Sequence, residues 1–297
     1  MTLTRISYIQ LIIYGVFAPV VLLFLNETRS KSDEEETPSP RQRIRSALND
    51  TVLRSSKMLL TEFVVSTFTL WSSFSFGTVF IMTQSIPLVY TQLYEWQPWK
   101  SGVVQISIFI GEVLGLLLCL FQDTIIYPRF AHQSLRHSKI KTDQESQESI
   151  ESQHKDSPLP PNPEARLYTS VPASFFGLTA GFFIYGWTSQ PEQDYAWPLP
   201  TLGLLLIGVG IMVIVQAVTT YITDCYPQYA NSAVSAIAFG ENMFAAFLPL
   251  ATRDMYNNLG FSWASSLLGF LAIGVGAGPM LLIVFGPSVR KRSSMIG

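Results

Sequence analysis

Charged residues are scarce in this chain, and their scarcity argues against an ordinary soluble domain. Of the 297 residues, 13% are Asp, Glu, Lys or Arg, whereas soluble domains carry about 25%. Long stretches contain no charge at all, and the charges collect between them. A bilayer imposes this pattern, because a charge at its centre costs several kcal/mol. We therefore expect an integral membrane protein.

Residues that carry catalytic chemistry are also few. The two cysteines, Cys119 and Cys225, show neither metal-ligand spacing nor a disulfide framework. The three histidines fall in one polar segment, and there is no glycine-rich phosphate loop with Lys and Ser or Thr. The net charge of −2 gives no sign of a nucleic-acid partner. We expect no enzyme activity, no cofactor, no metal and no nucleic acid.

Seven stretches are long and apolar enough to cross a bilayer, for which about 20 residues are needed. Backbone polar groups cannot stay unpaired in lipid, so all seven are predicted to be helices. In chain order they are Tyr8–Leu25, Phe63–Thr83, Gly102–Phe121, Ser170–Ser189, Pro198–Ile222, Ala230–Ala251 and Ser262–Gly286. The sequence thus predicts an all-α membrane protein with about seven transmembrane helices. A cleaved signal peptide is the alternative for the first stretch.

The distribution of Lys and Arg predicts the orientation, since cytoplasmic loops carry an excess of both. Seven lie in segment 26–62, six in segment 122–169 and three in the tail after the last span. With seven spans these regions share one face, which is therefore predicted to be cytoplasmic, with the amino terminus outside. Five of the six tryptophans fall at the opposite ends of spans, as an interfacial belt requires. The plasma membrane is the expected location.

The loop lengths divide the seven spans into one and six. Residues 1–25 are predicted to be the last helix of a first half-bundle, and residues 26–62 a cytoplasmic central linker. Residues 63–286 then form a six-helix second half-bundle, with a disordered cytoplasmic loop at 122–169 and a cytoplasmic tail at 287–297. Many carriers consist of two six-helix halves. The chain is therefore expected to be incomplete at its amino end, with five further spans ahead of it.

Several short motifs give the chain a family resemblance. They are Asn26-Glu-Thr-Arg29, Pro163-Glu-Ala-Arg-Leu167, Tyr221-Ile-Thr-Asp-Cys-Tyr226, Ala230-Asn-Ser-Ala233, Phe247-Leu-Pro-Leu250, Met255-Tyr256 and Leu259-Gly260. In order and spacing they resemble the carboxyl-terminal half, about the sixth to twelfth helices, of fungal major facilitator superfamily members in the twelve-span drug:proton antiporter group. The resemblance implies a major-facilitator-type helical bundle and proton-coupled export of small amphipathic molecules. The motifs of the family's first half are absent, and Glu241 stands where many relatives have Arg.

Two carboxylates fall near the middle of predicted spans, Glu112 in the third and Glu241 in the sixth. A carboxylate inside the membrane is costly and is functional by default, and burial favours its protonated form. Competition between a proton and a cationic substrate for such a group is the simplest antiport device. The alternative is a neutral Glu that bonds a neighbouring helix or, for Glu112, close packing between helices.

Other polar and aromatic groups are candidates for binding a flat amphipathic substrate near the midplane, with plain packing as the alternative. They are Trp71, Gln84, Tyr90, Gln216 and Asn242. Asp224 and Glu62 lie at cytoplasmic span ends and are gating candidates, with structural roles as the alternative. Two Gly-x-x-x-Gly motifs, Gly177–Gly181 and Gly274–Gly278, allow helices to approach closely.

These features favour a secondary active transporter whose partners are the lipid bilayer, a small organic substrate and protons. Without a phosphate loop, its energy is expected to come from an ion gradient. Two alternatives stay open, a non-transporting fragment and a seven-helix small-molecule receptor. The receptor is the weaker of the two, because the first cytoplasmic link is long and no Asp/Glu-Arg-Tyr triplet follows the third span.

Overall fold

The computed structural model describes residues 53–126, 167–189 and 197–290 together with Gly15, without the side chains of residues 125–126 and 284–290. Apart from Gly15, these residues belong to one compact unit, Ala47–Gly297. The first predicted span, Tyr8–Leu25, lies outside the described residues.

The described residues are almost entirely helical. The helices are α1 (Arg54–Thr61), α2 (Phe63–Gln92), α3 (Pro98–Val104), α4 (Ile106–Phe121), α5 (Leu167–Pro172), α6 (Ala180–Thr188), α7 (Pro198–Cys225), α8 (Ala230–Leu259) and α9 (Phe261–Arg290). A π-helical turn, Gln122–Ile126, extends α4, and a second one, Ala173–Thr179, joins α5 to α6. A 3-10 turn, Pro227–Tyr229, leads into α8.

Six helical segments are long and apolar enough to cross a membrane, and each overlaps a predicted span. They are Phe63–Gln92, Pro98–Thr124, Leu167–Thr188, Pro198–Cys225, Pro227–Leu259 and Phe261–Ile283. The prediction of an all-α membrane fold is therefore confirmed. Helix α2 continues well beyond its predicted end at Thr83, because polar residues at the membrane interface do not end a helix and Pro87 is tolerated within it.

Two segments predicted to be loops are helical where the structure describes them. The predicted central linker ends in α1, which packs against α8. The predicted loop 122–169 begins with the π-helical turn and ends in the first residues of α5. Both segments are polar, so the prediction from apolar length could not find helices there.

Helices α2 and α8 run parallel and form one of the two most extensive contacts in the bundle. Gly240 of α8 lies against Thr69 and Ser73 of α2, and Gly77 of α2 lies one turn further along against Phe244 of α8. A Cβ at either glycine would collide with its neighbour. Small residues thus set the close approach of these helices, as is usual in membranes.

Helices α4 and α7 repeat this arrangement. They also run parallel, with Gly111 against Gly208 and, one turn further along, Gly115 against Met212. Helix α4, in the second of the first three spans, therefore packs on α7, the first of the last three. In the same way α8, the second of the last three spans, packs on α2, the first of the first three. The third spans, α5–α6 and α9, pack against each other and against the first span of the other group. An inverted three-plus-three repeat produces this exchange of partners.

The first Gly-x-x-x-Gly motif also makes close helix contacts. Gly177 lies against Gly210 and Gly181 against Gly203, where α7 crosses the span formed by α5 and α6. The second motif is only partly engaged, because Gly278 lies against Thr67 of α2 whereas a Cβ at Gly274 would meet nothing.

Candidate functional site

Glu241 lies on the stripe of α8 that faces the bundle. Ile237, Phe244 and Thr252 share this stripe at helical spacing, and Ile237 and Thr252 are buried. Glu241 itself is half-buried, and the fully buried hydroxyl of Ser72 in α2 donates a hydrogen bond to its Oε1. A carboxylate in the helical stripe that packs on a neighbouring span is the clearest candidate for ion-dependent chemistry in this bundle.

Two further hydroxyls of α2 lie in the same contact. The Oγ1 of Thr69 and the Oγ of Ser73 are buried, and neither has a hydrogen-bond partner among the described residues. Both side chains contact the position of Gly240, next to Glu241. Ser73 therefore places a hydroxyl without a described hydrogen-bond partner beside the residue that precedes Glu241, whereas Thr69 meets Gly240 with its methyl group.

Glu112 occupies the corresponding place in the other parallel helix pair. It lies 14 residues after Pro98, where its span begins, and Glu241 lies 14 residues after Pro227. Each follows a glycine that packs on the partner helix. The partner helices differ in polarity. Helix α2 carries hydroxyl groups beside Glu241, whereas residues 202–215 of α7 are all apolar or glycine. The backbone of Glu112 thus lies beside an apolar helix, its side chain is half-buried, and the residue belongs to a different helix pair from Glu241.

Trp71 is a core residue in this structure. It is 1% exposed, and its Nε1 donates a hydrogen bond of 3.3 Å to the Oγ of Ser174, in the π-helical turn between α5 and α6. Its ring packs on Phe68, which in turn packs on Tyr221 of α7 with ring centroids 4.6 Å apart. Trp71 therefore ties α2 to the span formed by α5 and α6, and the neighbouring Phe68 ties α2 to α7.

The remaining substrate-binding candidates are spread over the bundle. Tyr90 is buried, and its hydroxyl shares a 3.0 Å hydrogen bond with Thr201 of α7. Gln84 is exposed, as is Asn242, whose amide donates to a carbonyl of its own helix. Gln216 lines a small cavity between the ends of α4 and α7. The described residues thus do not bring the predicted candidates together in one pocket.

The two gating candidates lie at the same end of the bundle. Glu62, between α1 and α2, is 4% exposed and accepts a hydrogen bond of 3.2 Å from the hydroxyl of Tyr226. Asp224 lies two residues before Tyr226, at the end of α7. Arg54 of α1 places its guanidinium 5.5 Å from the ring centroid of Tyr229. These contacts join α1 to the turn between α7 and α8.

Ser72 is the site residue that sequence analysis missed. A single serine in an apolar span carries no signal, but α2 is unusually rich in hydroxyl groups. Besides Tyr90, they belong to Ser66, Thr67, Thr69, Ser72, Ser73, Ser75, Thr78, Thr83, Ser85 and Thr91. The repeated Gly-Glu dipeptide at equal distances from Pro98 and Pro227 was a second usable signal.

Comparison with known proteins finds fungal transporters. No family model matches the chain. It is 28% identical over 280 residues to the MFS-type transporter atr4 of Stereocaulon alpinum, covering 92% of this chain and 46% of that protein. It is 29% identical to the efflux pump radE of Floropilus chiversii, covering 89% and 43%. It is 28% identical to fluconazole resistance protein 1 of Saccharomyces cerevisiae, covering 84% and 41%.

These relatives confirm the family resemblance inferred from the motifs. They are named as a transporter, an efflux pump and a fluconazole resistance protein, which confirms the prediction that the chain is not an enzyme. The chain spans less than half the length of each of them. The chain is thus an integral membrane protein that is similar in sequence to fungal major facilitator superfamily transporters, and its described residues form a bundle of membrane-spanning helices.

Proposed function

We propose that this chain is the second half of a secondary active transporter that exports small amphipathic organic molecules in exchange for protons. The names of its relatives and its inverted three-plus-three arrangement support this assignment. In this proposal residues 1–25 belong to the first half-bundle and residues 26–62 form the linker between the halves. The linker and both gating candidates then lie on the cytoplasmic side of the plasma membrane.

The contact between Glu241 and Ser72 is the observation that carries the proposal. A hydroxyl that donates to an ionised carboxylate makes a bond about twice as strong as one between neutral groups. Proton binding to Glu241 therefore weakens the attachment of α8 to α2, by about 1 kcal/mol. A ligand shifts a conformational equilibrium only through such a difference between states. The proton thus acts on the packing of two spans that belong to different repeats.

The same site explains how a substrate exchanges with the proton. A cationic substrate near Glu241 favours the ionised carboxylate, whereas proton uptake removes the charge that holds the cation. Binding of one ligand then promotes release of the other, which is the requirement for exchange.

Transport by the purified chain in liposomes tests this proposal. An imposed proton gradient is expected to drive accumulation of ethidium, an amphipathic fluorescent cation, and the Glu241→Gln variant is expected to lose this response. Glu95→Gln is the matched control, because Glu95 is exposed in the turn after α2. Failure of the unmodified chain to respond to the gradient would favour the non-transporting fragment. Ligand binding coupled to a heterotrimeric GTPase would instead support a receptor.

A further inference from the structure

An open groove lies between α3, α4 and the start of α7, at the bundle end where α2 terminates. Its volume is about 480 Å³, within the range of small-molecule sites. Trp96, Trp99 and Trp197 lie around its end, and Val103 and Ile110 continue its apolar wall along α3 and α4. The groove contains none of the residues placed at the Glu241 site.

The back of this groove is a fixed aromatic wall. Glu95 adopts a left-handed conformation with φ 52°, and the N–H of Trp96 bonds the carbonyl of Tyr90 at 3.1 Å. The turn therefore folds Trp96 back onto Tyr90, with ring centroids 5.3 Å apart. Trp96 also packs on Trp197 at 5.9 Å, and the hydroxyl of Tyr90 bonds Thr201. Rings held from both α2 and α7 give the groove a defined shape.

One cation lies at the mouth of the groove. The ammonium of Lys100 is 5.7 Å from the ring centroid of Trp99, and both side chains are exposed. Within residues 53–126, 167–189 and 197–283, no carboxylate forms an ion pair with Lys100. Glu95, the acidic residue nearest to it in sequence, is exposed in the preceding turn. An apolar groove with a single positive charge at its entrance complements an amphiphile with an anionic head.

The level of the groove within the membrane indicates what kind of amphiphile can bind there. Tryptophans concentrate at the level of lipid headgroups, and three of them surround the groove where it begins. From there Val103 and Ile110, both largely exposed, lead towards the middle of the span. A ligand lying here places its charged group at headgroup level and its chain along α4.

We propose that this groove binds a phospholipid molecule, with its phosphate on Lys100 and one acyl chain along Val103 and Ile110. Phosphate gives the ammonium of Lys100 an ionic partner, which no carboxylate among the described residues provides, and an acyl chain matches the apolar wall. A cationic amphiphile of the kind proposed for Glu241 is repelled by Lys100, so the groove is separate from the transport site. The inference does not depend on transport, and it can be tested by binding alone.

Native mass spectrometry of the purified, delipidated chain tests whether the charge of Lys100 contributes to phospholipid binding. Titration with palmitoyl-oleoyl phosphatidylglycerol, whose head is anionic, is expected to show one phospholipid that binds more tightly than the rest. Lys100→Gln is expected to weaken that binding about fivefold, the effect of one Lys near anionic lipids. Lys57→Gln, at the other end of the bundle in α1, is the control and is expected to leave the affinity unchanged. Equal affinity in the Lys100→Gln variant would overturn the proposal.

A groove-filling variant tests the position of the acyl chain. Val103→Trp is expected to remove the tightly bound phospholipid, whereas Leu117→Trp, at a similarly exposed position on α4, retains it. Loss in both variants, or in neither, would contradict the assignment. Ergosterol supplied in competition provides a further outcome. If the sterol displaces the phospholipid and binds independently of Lys100, the groove is a sterol site and the proposal is wrong.

Discussion

Glu112 of α4 and Glu241 of α8 are equivalent residues of two inverted repeats. Each lies 14 residues after the proline that begins its span, and each follows a glycine. Gly111 and Gly240 both press against the first helix of the opposite repeat. The two residues differ in what the neighbouring helix offers them. Ser72 donates a hydrogen bond to Glu241, whereas the helix beside Glu112 is apolar. One backbone arrangement thus places two carboxylates in different chemical surroundings.

Exchange of each carboxylate for an amide tests this asymmetry. Glu241→Gln is expected to abolish the dependence of transport on the proton gradient, because the amide still meets Ser72 but cannot bind a proton. Glu112→Gln is expected to preserve this dependence, since residues 202–215 of the helix beside it offer no hydroxyl whose hydrogen bond would change with the charge of Glu112. Substrate flux into proteoliposomes, measured for each variant with and without the proton gradient, shows which of the two depends on it. Equal losses in the two variants would show that the partner hydroxyl has no effect.

The glycines at the helix crossings are expected to resist substitution unequally. A Cβ at Gly111 would strike the carbonyl oxygen of Leu205, and backbone there cannot move aside. Gly111→Ala is therefore expected to lower the free energy of unfolding by about 1–3 kcal/mol. Gly274→Ala is the matched control, because its Cβ meets nothing and Ala favours a helix by up to about 1 kcal/mol. Thermal unfolding in detergent measures both, and similar shifts would contradict the packing described here.

Trp71 is expected to act on stability rather than on substrate choice. Trp71→Phe removes its hydrogen bond to Ser174 and leaves a cavity in the core, so unfolding becomes easier by about 1–3 kcal/mol. Trp263→Phe, at a position 61% exposed, is expected to change stability little. Thermal unfolding and substrate competition measured together separate the two roles. A Trp71→Phe variant with normal stability and an altered range of substrates would place Trp71 in the binding site.

The predicted orientation can be tested by cysteine labelling. Cys119 and Cys225 are buried, so the unmodified chain is expected to react slowly with a membrane-impermeant maleimide. Lys100→Cys is expected to react from outside the cell, and Lys57→Cys only after permeabilisation, because these two lysines lie at opposite ends of the bundle. The reverse pattern, in which Lys57→Cys reacts from outside and Lys100→Cys only after permeabilisation, would refute the predicted orientation. A glycan on Asn49 would reverse it.

The helix boundaries show how far sequence patterns reach. Apolar length located six of the spans in the described structure, because lipid imposes about 20 apolar residues on any helix that crosses it. The same criterion missed α1 and the polar continuation of α2, which owe their helical structure to tertiary contacts and to the membrane interface. Interfacial Trp96 and Trp197 were predicted as a belt, but their contact with each other was not.

The sequence by itself determined the spans, the scarcity of charge outside the links, and the two carboxylates within membrane-spanning helices. Tertiary structure decided the neighbours: Ser72 reaches Glu241 across 169 residues of chain, and Trp71 turns into the core. It also decided that Lys100 stands at a groove. In a soluble helix the apolar stripe shows which face is buried, but a membrane helix is apolar on every face. Its partners are chosen by small residues and local polar contacts, which become visible only when the helices are packed.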